Sequence, residues 1–352
     1  MVTAPLFSFA IPTYNFADFL PATVHSIYGG AKVFDATQIE VVVVDGASTD
    51  QTQDVVSGLM EQYPTIRYFR LPKRGGIDHD LNYAMEQVKA PFTWLLSSDD
   101  ILADKWDVEL SRMLKPEIDI FLMPAVLCSK TMIPMRRNRI FDCSVESGEK
   151  LFDFSLPDTI ETYLKHSLTL ESLFSFMSAL VVNTQSWRRL AMREDHFGSC
   201  WAHCARLIPV LNQNGKVLYT NKFLLLKRSG NDSFMEHGLT HRIGITVNGW
   251  TRLIREFFPN MQQQNRLMRL LRRDASILLF MFAKLSANNK DEKVKLKKLA
   301  HTTYIDNCST FLSRLLYLIY LVTPSWPTLA QSLKNFIPKI IWWRHRIKGL
   351  FH

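Results

Sequence analysis

Ile39-Glu40-Val41-Val42-Val43-Val44-Asp45 is a run of mostly β-branched residues that ends in an acid. With almost no polar face, a strand made from it is buried on both sides, as in a parallel sheet covered by helices. The flanking sequence agrees. Upstream, Phe7-Ser8-Phe9-Ala10-Ile11 is a short apolar run stopped by Pro12 and followed by Thr13-Tyr14-Asn15, and the stretch from Asp18 to Ile27 puts Leu20, Val24 and Ile27 on one helical face. Downstream, Ser48, Thr49 and Asp50 are all good N-caps, and Val55, Val56, Leu59, Met60 and Tyr63 then fall at helical spacing. Ile66 to Leu71 predicts another strand, Lys73 to Asn82 a polar loop with a Gly pair, and Leu81 to Val88 a helix. This alternation predicts an α/β, doubly wound, mostly parallel sheet.

The next strand carries the chemistry. Phe92-Thr93-Trp94-Leu95-Leu96-Ser97-Ser98-Asp99-Asp100 runs directly from apolar residues into adjacent acids. Two like charges side by side repel unless a cation or solvent relieves them. Carboxyl ends of strands in an α/β sheet are where ligands sit. Two hard oxygen donors there suit Mg2+ or Mn2+; the same pair would also serve as a solvated turn capping the next helix. Tyr14, Asp45 and Asp99-Asp100 each have an ordinary reading alone, as a core ring or a cap. Their arrival at successive strand ends describes one ligand-binding edge.

Four motifs then carry a resemblance: Ala10 to Asn15, Val42 to Thr52, Gly76-Ile77-Asp78-His79-Asp80-Leu81-Asn82, and Trp94 to Asp100. In order and spacing they resemble the family 2 glycosyltransferases of the GT-A fold. The resemblance implies a nucleotide-diphosphate sugar donor, with Tyr14 stacked on the base, Asp45 contacting the base, Asp99 on the ribose and Asp100 holding the divalent metal. It also places Pro12, Asp78 and Asn82 around the nucleotide sugar. Ser98 stands where the family's acidic motif usually begins with an acid.

In the middle of the chain, Phe174 to Val182 is expected as an apolar strand, and Gly198 to Arg206 opens a helix through Leu211. Lys216 to Lys227 predicts a hairpin or strand pair feeding the loop Arg228-Ser229-Gly230-Asn231-Asp232-Ser233-Phe234. This set resembles abequosyltransferase-type enzymes, which implies transfer of a deoxy sugar to a lipid-linked (undecaprenyl-diphosphate) O-antigen glycan. An inverting transfer needs a base for the acceptor hydroxyl. Ser199-Cys200 occupies the helix entry where many family members carry Glu-Asp, so His203, one turn along, is the candidate base by its ordinary pKa. Glu194 and Asp195 compete for the role, and a satisfied, partly buried imidazole is the alternative for His203. Arg228 or Asp232 would hold the acceptor or the departing diphosphate, or form only a surface turn. A catalytically silent sugar-nucleotide-binding protein and a nucleotidyltransferase are the rival functions.

The formal charge of +9 is uneven: residues 260–352 hold 16 Lys/Arg and 4 Asp/Glu, a net +12, so the rest of the chain carries −3. The basic part is also rich in aliphatic and aromatic residues, and its end, Ile341-Trp342-Trp343-Arg344-His345-Arg346-Ile347-Lys348, mixes rings with cations as interfacial helices do. Leu315 to Thr323, bounded by Arg314 and Pro324, is too short to span a bilayer and is expected to lie on one. Nucleic acid is disfavoured, because no recognised motif is present and the aromatics cluster with aliphatics. The five cysteines make no zinc pattern and, with no signal peptide evident, are expected as reduced thiols. Arg136-Arg137-Asn138-Arg139 is expected as a solvated loop, within reach of an acceptor's phosphates. The predicted organisation is a GT-A catalytic domain over 1–235, with a nucleotide-sugar half (1–110) and an acceptor half (111–235). A helical, basic, membrane-associating extension over 236–352 follows, for a peripheral enzyme on the cytoplasmic face of the bacterial inner membrane.

Overall fold

The computed structural model describes residues 4–231, 233–287, 289–306 and 311–322. They divide into two compact units: residues up to 231 together with Glu256–Pro259, and Ser233–Arg255 together with the residues from Asn260 onward. The tail beyond Val322, Asp232 and Cys308 lie outside the described residues.

In the first unit the chain contributes β1 (Phe7–Thr13), β2 (Ile39–Asp45), β3 (Ile66–Arg70), β4 (Phe92–Leu95), β5 (Ile101–Leu102), β6 (Ile120–Leu122), β7 (Ala125–Cys128), β8 (Pro134–Arg137), β9 (Lys150–Asp153), β10 (Leu180–Asn183), β11 (Lys216–Tyr219) and β12 (Leu225–Arg228). Eight form one sheet in the order β3-β2-β1-β4-β10-β6-β11-β9; the other four form β5-β12-β7-β8. Strands β1 to β4 are mutually parallel, with helices Leu20–Gly30, Thr52–Gln62 and Ile77–Gln87 between them, so the alternation read from sequence is the architecture. β1 and β2 are buried along their whole length, which is why their side chains do not alternate in polarity. One face packs Phe7, Phe9, Trp94 and Trp106 together, the Phe9 and Trp94 rings stacking at 5.9 Å.

Register delivers the chemistry to one edge. Thr13 stands opposite Asp45 across β1 and β2, and Ala10 opposite Leu95 across β1 and β4. Between β1 and β4 the strand order reverses, and the crevice outside the carboxyl ends at such a point is a ligand site.

Three expectations need correction. From Phe174 to Val182 only Leu180–Asn183 with its neighbours pairs as β10; Phe174 itself has φ 71° and 3-10 turns precede the strand. Lys216 to Lys227 is no hairpin, because β11 joins the large sheet and β12 the small one. Arg136 and Arg137 belong to β8, and Asn138 is buried with its side-chain amide donating to Glu171.

The second unit is helical: Leu239–Phe257, Met261–Asp274, Ile277–Ser286, Lys290–His301 and Phe311–Val322. Ile243, Val247, Trp250 and Ile254 recur at helical spacing and form a buried stripe. Among the described residues no helix is long and apolar enough to cross a membrane.

Candidate active site

Asp45 closes β2 with a fully buried carboxylate. Its Oδ1 accepts the Ser48 backbone N–H at 2.7 Å, and its Oδ2 accepts the Tyr68 hydroxyl at 2.7 Å and the Arg70 guanidinium at 3.2 Å. These bonds tie the 46–50 turn to β2 and β3. The turn is also stitched to the end of β1: Asn15 N–H donates to the Ser48 hydroxyl at 2.9 Å, and Thr49 N–H donates to Asn15 Oδ1 at 2.7 Å. Tyr14 is half-buried, and the Arg74 guanidinium lies 4.0 Å over its ring, a cation–π contact. Pro12 is buried within β1.

Asp80, inside the motif Gly76 to Asn82, stands beside this turn. Its carboxylate is buried, Oδ1 has no hydrogen-bond partner, and Oδ2 packs against Gly46. Burial, reinforced by the charge of Asp45 against the opposing pull of Arg74, pushes its pKa up to about 7. In sequence Asp80 is marked only as a member of the motif Gly76 to Asn82, and the strand pattern does not show that it meets Gly46.

The acidic pair after β4 is held from the small sheet. Asp100 is buried, and its Oδ1 accepts the Arg228 backbone N–H at 2.9 Å. Burial and the neighbouring Asp99 charge raise its pKa to about 7, against the hydroxyl of Ser178, the ammonium of Lys227 and the backbone of Arg228. Asp99 accepts from the Ser97 hydroxyl and the Asn231 side-chain amide. Arg228 is turned inward: its Nε donates to the Asp99 carbonyl at 2.9 Å, and its guanidinium sits 4.8 Å over the Phe19 ring. These contacts give Arg228 a part in shaping the acidic turn. The donor set fits a hard divalent ion: two adjacent carboxylates, one of them buried and destabilised in its charged form, are what such a cation relieves.

Asp78 and Asn82 face the second half of the sheet unit. The Asp78 carboxylate accepts the Cys200 and Ala202 N–H groups at 2.8 and 3.0 Å, capping the helix Ala202–Leu207. Asn82 Oδ1 accepts from Arg206 at 3.0 Å, while Arg206 lies 4.6 Å over the Trp187 ring. Trp187, Met192, Phe197, Ala202 and His203 line a small cleft with these groups. His203 is buried, with Nε2 3.1 Å from the Phe174 carbonyl. A carbonyl only accepts, so Nε2 carries the proton and Nδ1 the lone pair. Burial lowers the His203 pKa, with the Asp78 charge opposing, so the neutral imidazole dominates at neutral pH. Asp195, by contrast, is exposed and bidentately paired with Arg193 at 3.1 and 3.0 Å. With His196 and Glu256 it makes a three-residue cluster spaced for a cation, but Arg193 pairs with both carboxylates and supplies that positive charge. Cys128, Cys143, Cys200 and Cys204 are free thiols.

A four-strand parallel half ending in an aromatic ring, a buried Asp and an acidic pair at the switch point, continued by antiparallel strands, defines a GT-A glycosyltransferase. Residues 8–174 match the family model described as glycosyl transferase family 2. It is 27% identical over 344 residues to abequosyltransferase RfbV of Salmonella typhimurium, covering 96% of this chain and 99% of that one. A shorter match, 32% identical over 97 residues, joins 27% of this chain to 16% of the poly(ribitol-phosphate) β-N-acetylglucosaminyltransferase TarS of Staphylococcus aureus. The crystal structure of S. aureus TarS 1–349 with UDP-GlcNAc superposes with a TM-score of 0.60 at 14% identity, covering 94% of this chain and 91% of that one. The mannosyltransferase PcManGT of Pyrobaculum calidifontis with GDP-Man and Mn2+ does so with a TM-score of 0.51 at 16% identity, covering 96% and 88%.

Proposed function

We propose that this enzyme moves a sugar, a deoxyhexose, from a nucleotide-diphosphate donor to a lipid-linked glycan in bacterial surface polysaccharide synthesis, with inversion. The observation that carries the reading is the buried Asp100 beside Asp99 at the end of β4, next to Tyr14 and Asp45 at the ends of β1 and β2. The deoxyhexose and the O-antigen setting rest on the match to an abequosyltransferase over nearly the whole chain. TarS bound to UDP-GlcNAc supports a nucleotide-sugar donor, and PcManGT bound to Mn2+ supports a divalent ion.

Tyr14 offers its ring to the base once Arg74 swings aside, Asp45 holds the turn that receives the base, and Asp99 meets the ribose. Asp100 would hold Mg2+ or Mn2+, which when bound neutralises charge on the departing diphosphate. His203 takes the acceptor hydroxyl's proton on Nδ1 as the new bond forms at the sugar carbon, its ring fixed by the Phe174 carbonyl. Asp195, paired with Arg193 through both oxygens, is the weaker candidate. The donor half corresponds to residues 1–110, the acceptor half to 111–235, and 236–352 to an extension that rests on anionic lipid at the cytoplasmic face of the inner membrane. The basic and aromatic residues of the tail carry the lipid part of this reading.

A thermal-shift series with UDP, GDP, CDP and dTDP, each with and without Mn2+, tests the donor assignment. One nucleotide should raise the unfolding midpoint only with the metal. Asp100→Ala should abolish that dependence and transfer while leaving the apo midpoint near the native value; unchanged turnover would sink the metal assignment.

A further inference from the structure

The helix Phe311–Val322 is built inside out. Its inward side is Ser313, Tyr317 and Tyr320, all buried, with Tyr317 against His301 at 5.5 Å and Tyr320 against Phe280 at 6.2 Å. Its outward side is apolar: Phe311 is 83% exposed, Leu315 41%, Leu318 56% and Val322 79%. Those positions recur at helical spacing, so they form one stripe rather than scattered residues. A contiguous apolar stripe of this kind on a soluble surface marks a docking site.

Charge says what docks. Lys284 donates to the Tyr320 and Leu321 carbonyls at 2.9 and 3.0 Å, at the last turn of this helix. Lys293 and Lys297 stand on the helix Lys290–His301, which packs against Phe311–Val322 and adds two further cations to this region. The helix itself holds no acid, and Arg314 is its one charge. A second copy docking by the same patch would set these lysines against each other. The following residues, 323–352, carry Lys334, Lys339, Arg344, Arg346 and Lys348 and no Asp or Glu, so they too would bring like charge to like. An anionic lipid surface answers both features, since its headgroups meet the lysines and its acyl boundary receives the stripe.

We infer that the outward face of Phe311–Val322, with Lys284, Lys293 and Lys297, is a lipid-docking surface on which the helix lies parallel to an anionic bilayer. The inference rests on the membrane reading above and adds a contact surface separate from the tail. Twelve residues are too few to cross a bilayer, which takes about 20, so the helix lies in the interface.

The test uses the full chain and vesicles of phosphatidylcholine with or without phosphatidylglycerol. The native chain should co-sediment with the anionic vesicles. L315E/L318E should weaken that partition about tenfold or more, with unfolding midpoint and nucleotide binding unchanged because both side chains already face solvent. K293E/K297E should remove much of the preference for phosphatidylglycerol and leave any residual binding to neutral vesicles. Native-level co-sedimentation of both variants would overturn this inference while leaving the membrane reading in place, the anchor then lying elsewhere. A fall in the midpoint of L315E/L318E would overturn it by showing that the chain itself covers the stripe. Failure of the native chain to bind either vesicle would overturn the membrane reading as well.

Discussion

Asp80 Oδ2 lies so close to Gly46 that a Cβ on residue 46 would stand 2.3 Å from it. The glycine at the start of the turn after β2 is therefore a space requirement set by a carboxylate on the helix Ile77–Gln87. This contact joins two of the motifs that define the donor edge.

Gly46→Ala should push the Asp80 carboxylate away and disturb the turn that follows Asp45. A stability loss of about 1–3 kcal/mol is expected from such overpacking, with weaker nucleotide binding. Adding Asp80→Ala should restore much of the stability, a coupling within the roughly 0.5–3 kcal/mol seen for residues in contact. Chemical denaturation of the four proteins closes the cycle; strict additivity would mean that the alanine methyl meets something other than Asp80.

The raised Asp80 pKa sets a sign for pH dependence. In the unfolded chain the group ionises near the ordinary carboxylate value, about 3.9, whereas in the folded protein it does so at about 7. The folded state holds its proton more tightly, so the contribution favours folding at low pH and is lost as pH rises through the folded value. Asp80→Asn should thus gain stability relative to the native chain between mildly acidic conditions and pH 8. Asp100 shifts the same way, which is why the comparison is with the variant and not with the native curve alone. A gap between the two proteins that stayed constant with pH would show that Asp80 is ionised throughout.

His203→Ala should lower kcat by about 10²–10⁴-fold with little change in donor affinity, as removal of a general base does. Asp195→Asn should cost far less, since that carboxylate is committed to Arg193. Steady-state kinetics on both decides the matter, and the roles exchange if Asp195→Asn proves the more damaging.

Asp78 caps the helix that carries His203. Asp78→Ala leaves the Cys200 and Ala202 N–H groups without their acceptor, an expected cost of about 1–3 kcal/mol. Because the cap begins the helix that carries His203, kcat should fall while the donor KM moves little. Asp78→Asn keeps one acceptor oxygen and should recover part of the loss; a change confined to donor KM would return Asp78 to the nucleotide.

Local sequence was enough for the strand-helix alternation of the first hundred residues. Apolar runs without polar alternation state that β1, β2 and β4 are buried on both faces, and the polar residue that ends each run states where ligand chemistry begins. The position of Tyr14, Asp45 and Asp99-Asp100 at strand ends is legible for that reason. The acceptor half was less so. Phe174 to Val182 is apolar enough for a strand throughout, but the left-handed φ at Phe174 bends it, and that bend aims the carbonyl at His203.

By itself, then, the sequence determined the alternation of strand and helix and the set of acids at the strand ends, because burial and helical periodicity act between near neighbours. Only the tertiary structure decided what those groups face. Asp78 meets Cys200 across 122 positions and Asp100 meets Arg228 across 128, and no local pattern encodes a pairing at that separation. The same holds for Asp80, whose raised pKa arises from enclosure by Gly46 and from the charge of Asp45 on another strand. It holds again for the helix Phe311–Val322, whose apolar spacing predicts a helix but not which side of it the fold leaves outside.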